Sequence, residues 1–522
     1  MARITGVVLL SLVQAIHAQS SFTVARTAPK NAGTPLPAFI SYSIEFCFFP
    51  DYAGMLRVQG HIAWLICLHD YALYNASLPY AVNGTIDPAK ATDYPTTVYF
   101  GPSFFESYNT WSDVKFSHGF NLGLGANNSA GWQTLLDTIP LACKALEGGK
   151  LLMWEYGNEP DLFSTSAQGP VRPPTWNEST YVSQWLNGSR QIKEGVAAAC
   201  PDLASYGFLA PSFAGVENHL DPVTTWNDGL DVDKDIELIS SHNYIGGATQ
   251  PGVTLQGTLM NHTSTVVSVG RQLNVSNILS SSDVPFILGE TNSLYNEGAP
   301  GLSNAYGAAL WNLDFALYGA STSIRRIQYF SHRTLIPLWA WQPQDTDVVP
   351  KGTKPPYYGN IAAAAFLSNL TAATTTIAEI PLSNELESAY AAYVNGALKR
   401  VIIINMHQYN YTVNGTSTVV NPVPRPIRNY TITIPTNSTT GSSGHHAPAA
   451  LPKFATLRAL HANGSDAITG ITYDGYSYNY ELDNGKPVRL HNVTVGHTVK
   501  VADGKFTVPV EDSGAVMVDF GA

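Results

Sequence analysis

This sequence predicts an α/β fold, a (β/α)8 TIM barrel followed by a C-terminal antiparallel β-sandwich. Three observations carry that prediction. Short apolar or β-branched runs alternate with longer helix-like stretches as far as about residue 370. Two of the short runs stop abruptly and then deliver a Glu, the way a barrel strand presents an acid at its C-terminal mouth. From Thr371 onward the texture changes to short alternating runs separated by Gly, Asn and Pro, the pattern of a sandwich. The chain has 522 residues, 44% of them hydrophobic, which is long enough for a second domain beside a barrel of about 250 residues or more. The expected division is a leader over 1–18, the barrel over 19–370 and the sandwich over 371–522.

In chain order, Arg3 precedes an apolar run from Ile4 to Ile16, and Ile16-His17-Ala18 ends in the small residue expected before signal-peptidase cleavage. The mature chain is therefore expected to begin near Gln19 and to be secreted. The run is too short to span a membrane, and no later run of about 20 apolar residues follows. Barrel strands are expected at 39–46, 115–123, 150–156, 205–210, 236–243, 285–288 and 324–330. Helical cover is expected at 129–146, 181–199, 304–318 and 360–370. Beyond 371 the strand-like runs are 390–394, 400–406, 430–434, 499–508 and 515–520.

Chemistry concentrates at two strand ends. Leu151-Leu152-Met153-Trp154-Glu155-Tyr156-Gly157-Asn158-Glu159-Pro160 is an apolar run ending in an Asn-Glu pair between Gly and Pro, and Phe286-Ile287-Leu288-Gly289-Glu290 repeats the grammar. Breaking a glycosidic bond needs one carboxylic acid to protonate the leaving oxygen and a second, ionised carboxylate to meet the charge developing at the anomeric carbon. Glu159 and Glu290 fit those two roles. A lone Glu after a strand is commonly a solvated loop charge, but two with this wording point to a glycosidase.

Trp154-Glu155-Tyr156-Gly157-Asn158-Glu159-Pro160-Asp161 resembles the acid/base motif at the end of strand four in the clan of retaining (β/α)8 glycosidases, and the segment ending in Glu290 resembles the nucleophile strand seven. Ser41-Tyr42-Ser43-Ile44-Glu45-Phe46, Asp70-Tyr71-Ala72-Leu73-Tyr74-Asn75, Ser241-His242-Asn243-Tyr244 and Asn292-Ser293-Leu294-Tyr295 make the wording similar to glycoside hydrolase family 79, the β-glucuronidases and heparanases. That resemblance implies a retaining exo-β-glucuronidase acting on glycans, with Glu159 as acid/base and Glu290 as nucleophile. Its alternatives are a β-glycosidase of the same clan with another sugar, such as a xyloside or glucoside, an endo-acting enzyme, or a catalytically weak carbohydrate-binding glycoprotein. The resemblance further implies that Glu45 accepts from ring hydroxyls, that Asn158 binds the hydroxyl beside the anomeric carbon, and that Tyr244 holds the nucleophile. Tyr295 with the backbone from Asn296 to Gly298 would meet the substituent on carbon five. Residues 20–26 could add an edge strand to the sandwich. Two departures stand out: the segment from Met55 to His69 is too short for a helix and a strand, so that either 62–68 closes the barrel as an atypical strand or the segment reflects a mispredicted gene model whose product would fold poorly, and Leu338-Trp339-Ala340 occupies the family's tyrosine-containing loop.

Composition excludes several classes. A net charge of −11 with 13% charged residues offers no basic stripe for nucleic acid. Fourteen Asn-x-Ser/Thr sequons, among them Asn75, Asn127, Asn177, Asn261, Asn410 and Asn492, fit passage through the secretory pathway. Four cysteines, Cys47, Cys67, Cys143 and Cys200, allow three complete pairings; a Cys143–Cys200 bridge and buried thiols both remain open. No Cys-x-x-Cys or His-Glu-x-x-His spacing occurs, so neither metal nor cofactor is implied, and the expected partner is a carbohydrate bound by a monomer. His445-His446 follows a low-complexity run and reads as loop, and Asp512-Ser513-Gly514 reads as a turn. Trp339 and Trp341 either stack on a sugar or pack a loop.

Overall fold

A computed structural model describes residues 19–53, 63–67, 69–89, 95–166, 169–331, 340–345, 350–368, 374–415, 417–436 and 452–521. Eight parallel strands close into a barrel in chain order: β1 (Ile40–Glu45), β2 (Ala63–Cys67), β3 (Lys115–Phe120), β4 (Leu151–Tyr156), β5 (Phe208–Phe213), β6 (Ile236–Gly247), β7 (Phe286–Tyr295) and β8 (Ile324–Ser331). The short segment after Met55 supplies the closing strand: Tyr42 to Glu45 of β1 pair with Trp64 to Cys67 of β2, which pairs onward with Lys115 to Ser117 of β3. Period-two alternation then sorts each strand. Met153, Leu209, Leu238, Ile287 and Phe330 form an apolar plug of their own, while their neighbours Trp154, Phe208, Ile239, Leu288 and Tyr329 join the larger core under the helices.

The outer helices are α1 (Ser129–Leu146), α2 (Glu178–Ala199), α3 (His262–Ile278), α4 (Tyr306–Ala320) and α5 (Pro355–Leu367). The first three open on Asn caps, with Asn128, Asn177 and Asn261 accepting from the amides of Gly131, Thr180 and Ser264. An Asn cap satisfies an otherwise orphaned amide at a helix start, which fixes where each helix begins. Cys143 in α1 bonds to Cys200 just after α2. Every residue of α4 is buried. A helix apolar on all faces needs cover on all of them, and here the barrel lies on one side and the sandwich on the other. Gly359 of α5 lets that helix close in on α4, since a Cβ there would stand 2.3 Å from the Ala309 carbonyl.

The C-terminal region is a two-sheet sandwich with its own core, built from Tyr430, Ile432, Val508 and Val510 on one side and Ala389, Val401, Ile403 and Val518 on the other. One sheet has nine strands, and the other is Gln19–Thr23, Ile427–Thr433 and Lys505–Glu511. The strand Gln19–Thr23 runs parallel to Ile427–Thr433, pairing Gln19 with Asn429, so the first described strand belongs to the C-terminal sandwich.

Several expected boundaries shift for local reasons. The run at 205–210 is displaced to Phe208–Phe213, because Pro201–Leu203 forms a turn of 3-10 helix first and the strand then continues through Pro211. The run at 499–508 is two strands, Thr498–Lys500 and Lys505–Glu511, broken where Asp503 and Gly504 take left-handed φ values of 50° and 75°. α5 starts earlier than 360, at Pro355, a proline at the first helical position where its missing N–H costs nothing. Residues 1–18 and His445-His446 lie outside the described residues.

The barrel and sandwich meet at a buried ionic junction. His262, the first residue of α3, has Nδ1 3.1 Å from both carboxylate oxygens of Asp314 in α4 and Nε2 3.1 Å from Glu379 Oε1 in the strand Thr375–Glu379. The Tyr390 hydroxyl donates to Asp314 Oδ1 at 2.7 Å. Burial works to lower the imidazole pKa, but Asp314 and Glu379 outweigh it and lift it to about 10. Because the folded value lies above the unfolded one, this contribution to stability is full below about 6.5 and is lost as pH rises through about 10. His262→Ala, which leaves Asp314 buried without its partner, is expected to cost about 3–5 kcal/mol near neutral pH. Urea denaturation across pH checks this: the wild-type and variant midpoints should converge as pH passes about 10.

Candidate active site

The backbone after β4 does the first work. Gly157 and Glu159 both adopt left-handed φ, 91° and 52°, and Pro160 then opens a turn of 3-10 helix. A Cβ on Gly157 would meet the Leu122 side chain at 2.7 Å in addition to the strained φ. Glu159 has no such freedom, and a non-Gly residue held in this region costs on the order of 1–3 kcal/mol. Three successive amides hold the turn against that strain. Gly157 N–H donates to the Phe120 carbonyl of β3 at 3.1 Å, and Glu159 N–H donates to the Ser212 carbonyl of β5 at 2.8 Å. Between them, Asn158 N–H donates to Oδ2 of buried Asp70 at 2.5 Å, while Asp70 Oδ1 accepts from Gly123 N–H at 2.7 Å. Burial raises the Asp70 pKa, opposed by His69 and by these amides.

On the far side of the mouth, β7 carries Glu290. Gly289 precedes it because a Cβ there would stand 2.0 Å from Ser240 Oγ across the barrel interior. The β6–β7 register skips at this point, setting His242 beside Glu290. Residues two apart on β6 face the same way, so Ser240, His242 and Tyr244 all point inward. The Tyr244 hydroxyl donates to Glu290 Oε1 at 2.7 Å, and His242 Nδ1 lies 2.9 Å from Glu159 Oε1. One oxygen of Glu159, one of Glu290 and a ring nitrogen of His242 all fall within 4.8 Å of one another.

Electrostatics follows from that crowding. Burial alone would keep His242 neutral, yet Glu290, Glu159 and Glu155 outweigh it and raise its pKa to about 9. Such a donor set has ligand types a divalent cation accepts, but an imidazolium is itself the cation and has no lone pair to give. Asp161, buried beneath Glu159, is raised to about 7, first by burial and then by the Glu159 charge, while Ala214 N–H and Asn218 Nδ2 donate to it at 2.9 and 2.8 Å.

The other expected residues surround the same barrel end. Glu45 is fully buried at the C-terminal end of β1. Asn158 is 2% exposed, and neither its side-chain oxygen nor its nitrogen has a hydrogen-bond partner among the described residues. A buried amide left unsatisfied costs free energy unless something else completes it. Tyr295 ends β7 with its side chain half exposed and its ring over Gly247. Asn296, Glu297 and Gly298 follow with left-handed φ of 57°, 65° and 74°. Trp341 is buried against Tyr42, Tyr52 and Tyr357, packing rather than presenting a face, and Trp339 lies outside the described residues. Sequence reasoning did not assign roles to His242, Asp70, Ser212, Asp161 or Glu155. The one local signal was His242 two residues before Tyr244, on the same face of one strand.

Comparison with known proteins agrees with this architecture. Residues 389–517 match the family model for the glycosyl hydrolase family 79 C-terminal beta domain. A β-glucuronidase of Neurospora crassa is 50% identical over 95% of this chain and 93% of its own length. One from Aspergillus niger is 48% identical over 96% and 94%. Among solved structures, a 4-O-α-L-rhamnosyl-β-D-glucuronidase from Fusarium oxysporum superposes with a TM-score of 0.72 at 22% identity, covering 96% of this chain and all of that one. A family 51 α-L-arabinofuranosidase from Bifidobacterium longum shares the fold at a TM-score of 0.55 and 12% identity, over 96% of this chain and all of that one. Barrel, sandwich and relatives define the class, a glycoside hydrolase. More particularly, the chain belongs to glycoside hydrolase family 79.

Asp70 is the support whose removal isolates positioning from chemistry. Asp70→Ala should lower kcat by about 10²-fold, the effect of displacing a reacting group by around 1 Å. Asp70→Asn, which keeps one acceptor, should lose less. Steady-state kinetics beside a thermal melt separates this from unfolding.

Proposed function

We propose that the protein is a secreted, retaining exo-β-glucuronidase that removes terminal glucuronic acid, or its 4-O-methyl form, from glycans. The observation that carries this reading is that one carboxylate oxygen of Glu159 and one of Glu290 lie within 4.8 Å of each other. Double displacement needs carboxyl groups roughly 5–5.5 Å apart, whereas an inverting pair stands about 6.5–9.5 Å apart to admit a water. Glu290, oriented by the Tyr244 hydroxyl, attacks the anomeric carbon and forms a glycosyl ester. Glu159, held by His242, gives its proton to the departing oxygen and then takes one from the water that releases the sugar. The unsatisfied amide of Asn158 suits the hydroxyl beside the anomeric carbon, a contact that strengthens as charge develops, and Glu45 accepts from ring hydroxyls.

Glucuronic acid as the substrate rests on the relatives, which are named β-glucuronidases at 50% and 48% identity. The left-handed run Asn296-Glu297-Gly298 beside Tyr295 supports it, since successive backbone N–H groups in turn conformation form an anion-binding concavity without any Arg. Secretion rests on the leader-like first 18 residues and the fourteen sequons. No helix among the described residues is long and apolar enough to cross a membrane.

A panel of aryl β-glycosides tests the sugar: the glucuronide should be cleaved with higher kcat/KM than the glucoside and xyloside, and a preference for either of those would reassign it. The roles separate in two variants. Glu290→Gln should lose at least about 10³-fold on every substrate, because the covalent intermediate cannot form. Glu159→Gln should lose roughly 10²–10⁴-fold on poor leaving groups but far less on nitrophenyl substrates, with azide restoring turnover as the β-azide. An α-azide from Glu159→Gln together with a β-azide from Glu290→Gln would exchange the assignments.

A further inference from the structure

Glu155 is a carboxyl group that this mechanism leaves unused. It sits on β4 facing into the barrel one layer below the mouth, fully buried. The Ser212 hydroxyl donates to its Oε1 at 2.6 Å, while Oε2 has no hydrogen-bond partner among the described residues. Ser212 is the residue whose carbonyl holds Glu159 N–H at 2.8 Å, and it does so from a left-handed φ of 53°. Its hydroxyl also lies 3.1 Å from Ser240 Oγ, on the strand that carries His242. A hydroxyl has one proton to donate. With Glu155 ionised, that proton must go to the carboxylate. With Glu155 protonated, Ser212 can accept from it and turn its own proton to Ser240.

We propose that Glu155 is a positioning residue of the glycosidase site, a protonatable group that acts through Ser212 on the turn presenting Glu159 and whose ionisation sets the alkaline limit of activity. The proposal rests on the acid/base reading of Glu159. Groups facing Glu155 are His242 from β6, Glu290 from β7, Asp70 from the loop after β2 and, outside the barrel wall, the Tyr181 phenol of α2. Burial raises the Glu155 carboxyl first, Asp70 and Glu290 add to it, and Ser212 and His242 oppose, leaving it at about 8. Glu155 is therefore mostly neutral below about pH 8. As pH rises, its ionisation adds a negative charge beneath the nucleophile and draws the Ser212 hydroxyl back.

The test is the pH dependence of kcat/KM on an aryl glucuronide for the full-length wild type, Glu155→Gln and Ser212→Ala. Glutamine keeps the shape and the acceptor for Ser212 but cannot ionise, so the alkaline limb should move up by about one unit or more while the acid limb stays in place. Ser212→Ala removes a bond that favours ionised Glu155 and should move the limb in the same direction, which keeps the proposal testable if Glu155→Gln folds poorly. An alkaline limb unchanged in both variants, alongside an inactive Glu159→Gln, overturns this proposal alone. Full activity of Glu159→Gln on an alkyl glucuronide overturns the acid/base reading and this proposal with it.

Discussion

One carboxylate oxygen of Glu159 and one of Glu290 stand within 4.8 Å of each other, and a ring nitrogen of His242 lies within the same distance of both. Two unit charges about 4 Å apart repel by roughly 4 kcal/mol at the effective dielectric of a protein site. A buried imidazole would normally lose its proton, and only the surrounding carboxylates keep it charged. The pair and the cation thus sustain each other: the glutamates hold the proton on His242, and His242 makes their proximity tolerable. The rest of the mouth depends on this balance, because each additional buried acid, Asp70, Asp161 or Glu155, is pushed toward its neutral form by burial.

The backbone supplies the geometry that the charges require. Glu159 occupies a conformation usually left to glycine, and it stays there because strands β3 and β5 and the side chain of Asp70 each take one amide of the turn. That arrangement uses a property of closed barrels: strands distant in sequence lie side by side, so a single turn can be pinned from two walls. The apolar plug of Met153, Leu209, Leu238, Ile287 and Phe330 gives those walls a fixed spacing. Strain at the site is therefore offset by packing and hydrogen bonds made elsewhere.

Much of this was legible in the sequence, and what was not shares a cause. Seven barrel strands stand on or near the apolar runs that mark them in the sequence, and Glu159 and Glu290 were marked by their immediate neighbours. β2 was foreseen only as the piece needed to close the ring, since its pairing partners lie in β1 and β3 and nothing local announces it. β5 starts and ends about three residues later than the apolar run alone indicates, after the turn Pro201–Leu203 and on through Pro211, which a register skip against β6 accommodates. Asp70, Ser212 and Glu155 received no role for a different reason. Asp70 acts on Asn158 and Ser212 on Glu155 and Glu159, contacts made across the barrel between segments that local pattern treats as unrelated. Trp341 shows the converse: an aromatic residue conspicuous in sequence turned out to fill a gap among tyrosines.

The strand Gln19–Thr23 carries a consequence for how the chain is made. Its register partner, Ile427–Thr433, is synthesised about 400 residues later, so this pairing has among the largest sequence separations in the molecule. At ribosomal rates of about 5–20 residues per second, the first strand waits some tens of seconds for its neighbour. The barrel, whose strands pair in order, can assemble during that interval. Sealing the sandwich is then a late event that draws the two ends of the chain together around a barrel already formed, and a free edge strand with exposed N–H and C=O groups must be kept from other partners until it happens.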